Sequence, residues 1–388
     1  MRTNNAPSID KPLPRHAGGF SLVELVVATG ITSILLVTMG SAIVLSSRAI
    51  PSSSTGTNTV TKAARVLELL TDELANASQF YERTPLSISF SVADQDEDIA
   101  PEKIRYAWSG TPGDPVTRQY NQDPPTILLD SAECFNLDYE LIPRQRSPRI
   151  LVVGRDTGSA GPQDLAKQNR FKLFGYAATF IDDDNSPAKF AAAVDTADVA
   201  YISEEAWGPS VSTKLKTAPI GVVNEESSLQ YELGFSTADG INEPDDRITL
   251  VNTTHQITSE FSSGDLTICS TMQSLVKHSG VLTPGAIVLA ENDGPGNTPM
   301  LTVIESGAAL QGGGSALGRR VQLPWGHSAF DFNSLTNDGL TLMRRSIDWA
   351  AGSKVVSTIQ VGLQPASDTN PKLETKVRIV NKPAVSGP

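Results

Sequence analysis

RILVVGRDTGSAGPQDLAKQNRFKLFGYAATFIDDD, residues 149–184, carries the alternation on which the fold turns. Its continuous apolar run at 149–154 reads as a buried strand, 164–174 as a helix and 178–184 as the next strand. Downstream the pattern repeats: a helix over 186–196, the strand VAYISEE at 199–205, a helix over 208–216, the strand PIGVVNEE at 219–226 and a short helix at 227–233. Strands alternating with helices predict a parallel sheet with crossover helices. RITLVN (247–252), DLTICS (265–270), AIVLAEN (286–292), MLTVIES (300–306) and GRRVQLPW (318–325) then read as short strands, and 336–351 as a closing helix.

On both sides of this block the period changes. SISFSVAD (87–94) and EKIRYAWSG (102–110) alternate around an acidic turn, and PVTRQYN (115–121) and TILLDSAECFNLDYELI (126–142) complete an antiparallel meander. VVSTIQVGLQ (355–364) and LETKVRIVNKP (373–383) read as two more alternating strands that do not continue the α/β pattern. In TKAARVLELLTDELANASQF (61–80), Ala63, Val66, Leu67, Leu70, Leu74 and Ala77 recur at spacings of three and four, which marks one helical face. The meander and this closing strand pair resemble a J-type minor pseudopilin of type II secretion, and the resemblance implies an α/β domain at 149–352 inserted into a domain split between 47–148 and 353–388. It requires the strand at 355–362 to share a sheet with 132–142.

The chain has 388 residues, with 31 Lys and Arg against 43 Asp and Glu, a formal charge of −12. That balance argues against nucleic acid as a partner, since phosphate binding needs concentrated positive charge. With 39% hydrophobic and 19% charged residues it has an ordinary globular composition. Two cysteines, Cys134 and Cys269, make neither a disulfide scaffold nor a cysteine-based zinc site.

Near the N-terminus, FSLVELVVATGITSILLVTMGSAIVL (20–45) holds a single charge, Glu24. As a helix it is about 39 Å long, enough to cross a hydrocarbon core of roughly 30 Å. A carboxylate there costs on the order of 2.5–3.5 kcal/mol unless it meets a partner. Gly18-Gly19-Phe20-Ser21-Leu22-Val23-Glu24 resembles the prepilin cleavage and methylation motif of type IV pilins and type II secretion pseudopilins, and the meander that follows resembles a J-type minor pseudopilin. The resemblance implies a cleaved leader at 1–19, cut after Gly19 by a prepilin peptidase, with N-methylation at Phe20 and a transmembrane helix at 20–46. Glu24 would pair with a neighbouring subunit's amino terminus during assembly. The fold class so implied is an α+β pilin-like domain, a long N-terminal helix plus an antiparallel sheet, carrying an inserted α/β flavodoxin-like or amidotransferase-like domain. The function implied is a minor structural subunit of a type II secretion or type IV pilus-like assembly, single-pass in the inner membrane with its bulk periplasmic. Its partners would be other pseudopilin or pilin subunits, the peptidase and the membrane.

Within 149–352, His255-Gln256-Ile257-Thr258, Gly318-Arg319-Arg320-Val321, Trp325-Gly326-His327 and Ile347-Asp348-Trp349-Ala350-Ala351-Gly352 resemble the class I glutamine-amidotransferase-like fold, in its trehalose-utilisation-type branch. That class implies a nucleophilic cysteine on a strand-to-helix turn. Here the turn after PIGVV is Asn224-Glu225-Glu226-Ser227, without a thiol, and Cys269 lies in an apolar strand that favours the inert thiol. No G-x-S-x-G elbow occurs, and Gly312-Gly313-Gly314 lacks the Lys-Ser/Thr of a phosphate loop. The expectation is therefore no enzyme, no cofactor and no catalytic residue. Glu204, Glu205, Asn224, Glu225, His255 and His327 fall at or near strand ends, where parallel sheets bind ligands. Of these, Glu225, His255 and His327 make a candidate pocket, which would suit an anchored periplasmic enzyme or carbohydrate-binding protein. The run Asp94-Gln95-Asp96-Glu97-Asp98 fails EF-hand spacing, with Ile99 at the sixth position and Arg105 at the twelfth, and reads as a solvated turn.

Overall fold

A computed structural model describes residues 56–156, 160–293, 296–327, 329–366 and 371–385. Thr59–Pro388 form one compact unit; of the other, Met1–Asn58, only 56–58 are described, at the start of a helix. That helix, α1 (Gly56–Ala75), buries the predicted face: Ala63, Val66, Leu67, Leu70 and Leu74 are all shielded from solvent, as is Ala77 just beyond its end. Full burial of one such leucine is worth roughly 1.5–3 kcal/mol.

The strands β1 (Gln79–Arg83), β2 (Ser87–Val92), β3 (Glu102–Ala107), β4 (Val116–Tyr120) and β5 (Thr126–Leu129) form an antiparallel sheet in that order. Phe90, Ile104, Tyr106 and Val116 share one core with α1. Glu73 on α1 ties the helix to the sheet by accepting from Tyr106 and Arg118. The single run expected at 126–142 is two strands, because the chain turns at Asp130–Ser131 before β6 (Ala132–Pro143).

Arg149–Gly154 is β7, followed by α2 (Pro162–Leu173), β8 (Ala177–Asp182), α3 (Pro187–Thr196), β9 (Val199–Ile202), α4 (Gly208–Val211) and β10 (Gly221–Asn224). Proline at the first helical position opens α2 and α3, where its missing N–H costs nothing. The helices expected at 208–216 and 227–233 shrink to a single turn and a 3-10 turn. Further on lie β11 (Gly240–Asp245), β12 (Arg247–Leu250), β13 (Gly264–Thr267), β14 (Gln273–His278), β15 (Ala286–Glu291), β16 (Pro299–Ile304), β17 (Arg320–Gln322) and α5 (Asn337–Ala350). Nine of these strands make one sheet, ordered β13-β12-β15-β16-β17-β10-β9-β7-β8. The pairs β8/β7, β7/β9, β9/β10 and β10/β17 are parallel, and the remaining pairs are antiparallel. Alternation divides β7 between two cores: Ile150 and Val152 pack with Phe171 and Ile347, Leu151 and Val153 with Phe190 and Val194.

The chain then returns as β18 (Lys354–Pro365), with β19 (Leu373–Arg378) and β20 (Ala384–Val385) beside it. β18 pairs with β6 from Lys354↔Pro143 to Pro365↔Ala132, so the strand expected at 355–362 does share a sheet with 132–142. At the seam with the α/β block, the buried Gln79 amide donates to the carbonyl of Ala197, at 2.8 Å, and to those of Asp195 and Val194, at the end of α3. A helix end leaves carbonyls in need of such donors, and here the Val194 carbonyl also accepts from the capping Ala197 N–H.

The expected fold class is corrected by this arrangement. The described chain is mostly sheet and of α/β type, not a pilin-like domain led by a long N-terminal helix. Among the described residues no helix is long and apolar enough to cross a membrane, so the reading as a minor pseudopilin of a secretion or pilus-like assembly, single-pass in the inner membrane, is not supported. The expected processing and assembly residues Gly19, Phe20 and Glu24, with the helix at 20–46, lie outside the described residues.

Candidate functional site

Beyond the C-terminal ends of β9, β10 and β17, the α/β block encloses a group of charged side chains. Lys167, from the second turn of α2, is fully buried and donates to Ser203 Oγ at 2.8 Å and to the Glu204 carboxylate. Its ammonium also lies 3.0 Å from Glu225 Oε2. Glu225 Oε1 accepts from the Tyr201 hydroxyl and, at 2.8 Å, from the Trp325 indole. Both oxygens of Glu225 are therefore engaged, by three side chains that solvent does not reach. Burial, followed by the charge of Glu225, drives the Tyr201 phenol far above its usual range, so it stays a donor.

Asp164 stands one helical step before Lys167 on the same face of α2 and is equally buried. Neither of its oxygens makes a hydrogen bond of ordinary geometry. Burial pushes its carboxyl up to about 6, with Glu225 and Glu205 adding to the shift and Lys167 and Ser203 opposing it. Room for that carboxyl exists because residue 154 is glycine: a Cβ there would stand 2.3 Å from Asp164 Oδ2. Glu204 Oε1 and Asn224 Oδ1 are also buried without partners, although the Asn224 amide donates to Gln322 at 2.7 Å. One ammonium thus stands among three carboxyl groups, and Asp164 is the one whose affinity for a proton is raised by this crowding and burial.

The six residues expected at strand ends divide between the two ends of the sheet. Glu204, Glu205, Asn224 and Glu225 lie at this end, and His327 follows Trp325 beside them. Gly326, at φ +124°, brings this segment onto β10 so closely that a Cβ would lie 2.1 Å from the Glu225 carbonyl oxygen. His255 is elsewhere. It follows β12, which runs against the parallel strands, and its ring meets Trp349 edge-on with centroids 5.0 Å apart. The Trp349 carbonyl accepts from Arg319, just before the N-terminal end of β17, so His255 is at the opposite end of the sheet from Glu225 and His327. Burial lowers its imidazole below the usual range.

Lys167, Asp164, Tyr201 and Trp325 were missed by the sequence reading. Their trace was a charged residue at each of two core-facing helical positions, 164 and 167, in register with Phe171. His278 was also missed; it is buried, meets Thr302 Oγ1 at 2.9 Å through Nε2, and burial lowers it to about 4. Cys269 is packed in the core, and burial raises its thiol to about 11, which leaves it unreactive.

A separate cleft of about 900 Å³ opens over the outer face of the first antiparallel sheet, where Tyr81, Lys103, Arg105, Gln119 and Asn121 line it together with Leu317 of the α/β block. The Lys103 ammonium sits 4.3 Å above the Tyr81 ring, and Arg105 holds Glu82 at 2.7 Å.

No family model matches the chain, and no curated protein matches it. Among solved structures, a ThuA-like protein from Parabacteroides merdae is similar at 11% identity and a TM-score of 0.38, over 53% of this chain and 90% of that one. At that score the likeness carries nothing about ligand or chemistry.

Proposed function

We propose that this protein is a non-catalytic binding module, in which an α/β block and an antiparallel module are braced together and ligand is taken in the cleft beside their seam. One observation carries the reading: at the strand ends, where α/β folds place their chemistry, Glu225 has both oxygens engaged inside a cluster closed to solvent. A general base must reach a substrate proton within about 3 Å, and a nucleophile needs a free lone pair. Glu225 has neither, and the cysteines are a buried thiol in the core and a half-buried one in β6. The cleft volume falls in the range of ligand sites, roughly 300–1,000 Å³, and its lining of amides, a phenol and paired charges suits a polar ligand. The net charge of −12 directs the choice away from nucleic acid.

The test assays the purified full-length protein against amide, ester and glycoside substrates, alongside Glu225→Gln. The expected result is no turnover in either protein and a lowered thermal midpoint in the variant. Turnover that Glu225→Gln abolishes without loss of stability would overturn the reading. Soluble glycans screened by thermal shift should raise the wild-type midpoint, and Gln119→Ala should remove that rise.

A further inference from the structure

The acidic loop between β2 and β3 leads into a carboxylate, at the first residue of β3, that a solvated turn does not explain. Asp94 and Asp96 are exposed, as such a turn requires, but Glu102 is only 1% exposed. Its Oε1 accepts from the backbone N–H groups of Gln95, at 2.8 Å, and Asp96, at 3.2 Å. Its Oε2 is buried and has no hydrogen-bond partner. The Tyr120 phenol is raised by burial, by the Glu102 charge and by its approach to the Glu102 carboxylate as a donor, but that approach lies outside the geometry of an ordinary hydrogen bond to Oε2. One oxygen from each of Asp94, Asp96 and Glu102 lies within 4.8 Å of the others. Among the described residues no Lys or Arg forms an ion pair with any of the three, and the nearby Lys103 has its ammonium over Tyr81. A buried carboxylate oxygen without a donor is costly, and carboxylates gathered without a cation repel one another.

We propose that Asp94, Asp96 and Glu102 bind a calcium ion, with Glu102 Oε2 as the buried ligand. The donor set is all oxygen and anionic, which suits a hard divalent cation. Calcium is favoured over magnesium because it accepts an irregular set of carboxylates, whereas magnesium demands near-octahedral geometry and retains its waters. The loop is distinct from an EF-hand, since its glutamate comes at the ninth position rather than the twelfth. Asp98, Ala100 and Pro101 of the same loop line the cleft over the antiparallel sheet, so a bound ion fixes one wall of that cleft. The site does not depend on the α/β block being non-catalytic.

The experiment titrates calcium chloride into the chelator-treated full-length chain by calorimetry and follows its thermal midpoint. One saturable site is expected, with a midpoint that rises with calcium concentration. Glu102→Gln and Asp96→Asn should each weaken binding by at least about tenfold. Asp96 is exposed, so Asp96→Asn should leave the calcium-free midpoint unchanged and separate lost ligation from misfolding. The proposal is overturned if no saturable binding occurs by about 10⁻³ M calcium, the weak end for extracellular modules. It is equally overturned if calcium shifts wild type and both variants alike, or if magnesium binds as tightly as calcium.

Discussion

Two groups of carboxyls, one in each module, solve the problem of crowded negative charge in different ways. In the α/β block, Glu204 and Glu225 share the ammonium of Lys167, while Asp164 is pushed toward its neutral form. In the antiparallel module, Asp94, Asp96 and Glu102 have no side-chain cation paired with them among the described residues. The first group is deep among helix and strand ends, where water cannot screen it, and so it carries its own counter-charge. The second lies on a loop, where two of its members stay in water and the ion can come from outside. A resident cation makes a cluster structural; a missing one leaves the place open for a ligand.

The strongest way to break this comparison is to remove the resident cation. Lys167→Met leaves two glutamates buried and unpaired, and an expected loss of about 3–5 kcal/mol follows from breaking a buried pair on one side. Urea denaturation at neutral pH measures it. A loss under about 1 kcal/mol would show that water or protonation already balances the cluster.

Asp164 sharpens the contrast through pH. Its carboxyl titrates near 4 when unfolded and at about 6 when folded, so between these values the folded state keeps a proton that the unfolded state releases. Stability from this group therefore falls as pH rises from 4 through 6 and stays lower above that. Asp164→Asn removes the effect: it should gain about 3 kcal/mol over wild type at pH 7 and nearly nothing at pH 4. His278 acts in the opposite direction, because its depressed imidazole favours folding only when neutral. Taking the difference between variant and wild type cancels that contribution. A difference independent of pH would remove Asp164 from the account.

The smallest effect belongs to the pair lining the cleft. Arg105 and Glu82 are each partly exposed, and Glu82 is held below the usual carboxylate range chiefly by the Arg105 hydrogen bond. Arg105→Met should cost only about 0.2–1 kcal/mol, less at roughly 1 M salt, where screening is strong. The Lys167→Met loss should hardly respond to the same salt, and equal salt sensitivity in the two would erase the distinction between them.

Strands and helices in the first half of the α/β block were legible because each carries its own signal. RILVVG is apolar throughout because both faces of β7 are covered, and the face of α1 is spelled out by spacing. β1, β11 and β14 escaped notice because their sequences, QFYER, GINEPD and QSLVKH, show little apolar alternation; neighbouring chain makes them strands. The six residues expected near strand ends illustrate the same limit. Glu204, Glu205, Asn224, Glu225 and His327 come together, whereas His255 follows a strand of opposite direction, and direction is a property of pairing rather than of composition.

By itself the sequence determined where chain segments bury their apolar faces, that Cys269 is an inert core thiol, and that the turn after β10 offers glutamate where a nucleophile would stand. Periodicity and residue chemistry are local, so they survive the absence of a structure. Tertiary structure alone decided that Lys167 reaches Glu204 and Glu225 and that Glu102 turns one oxygen inward without a donor. It also fixed the register in which β18 pairs with β6. Each of these depends on residues far apart in the chain meeting in a space from which water is excluded, and that exclusion gives a charge its cost and its partner its importance.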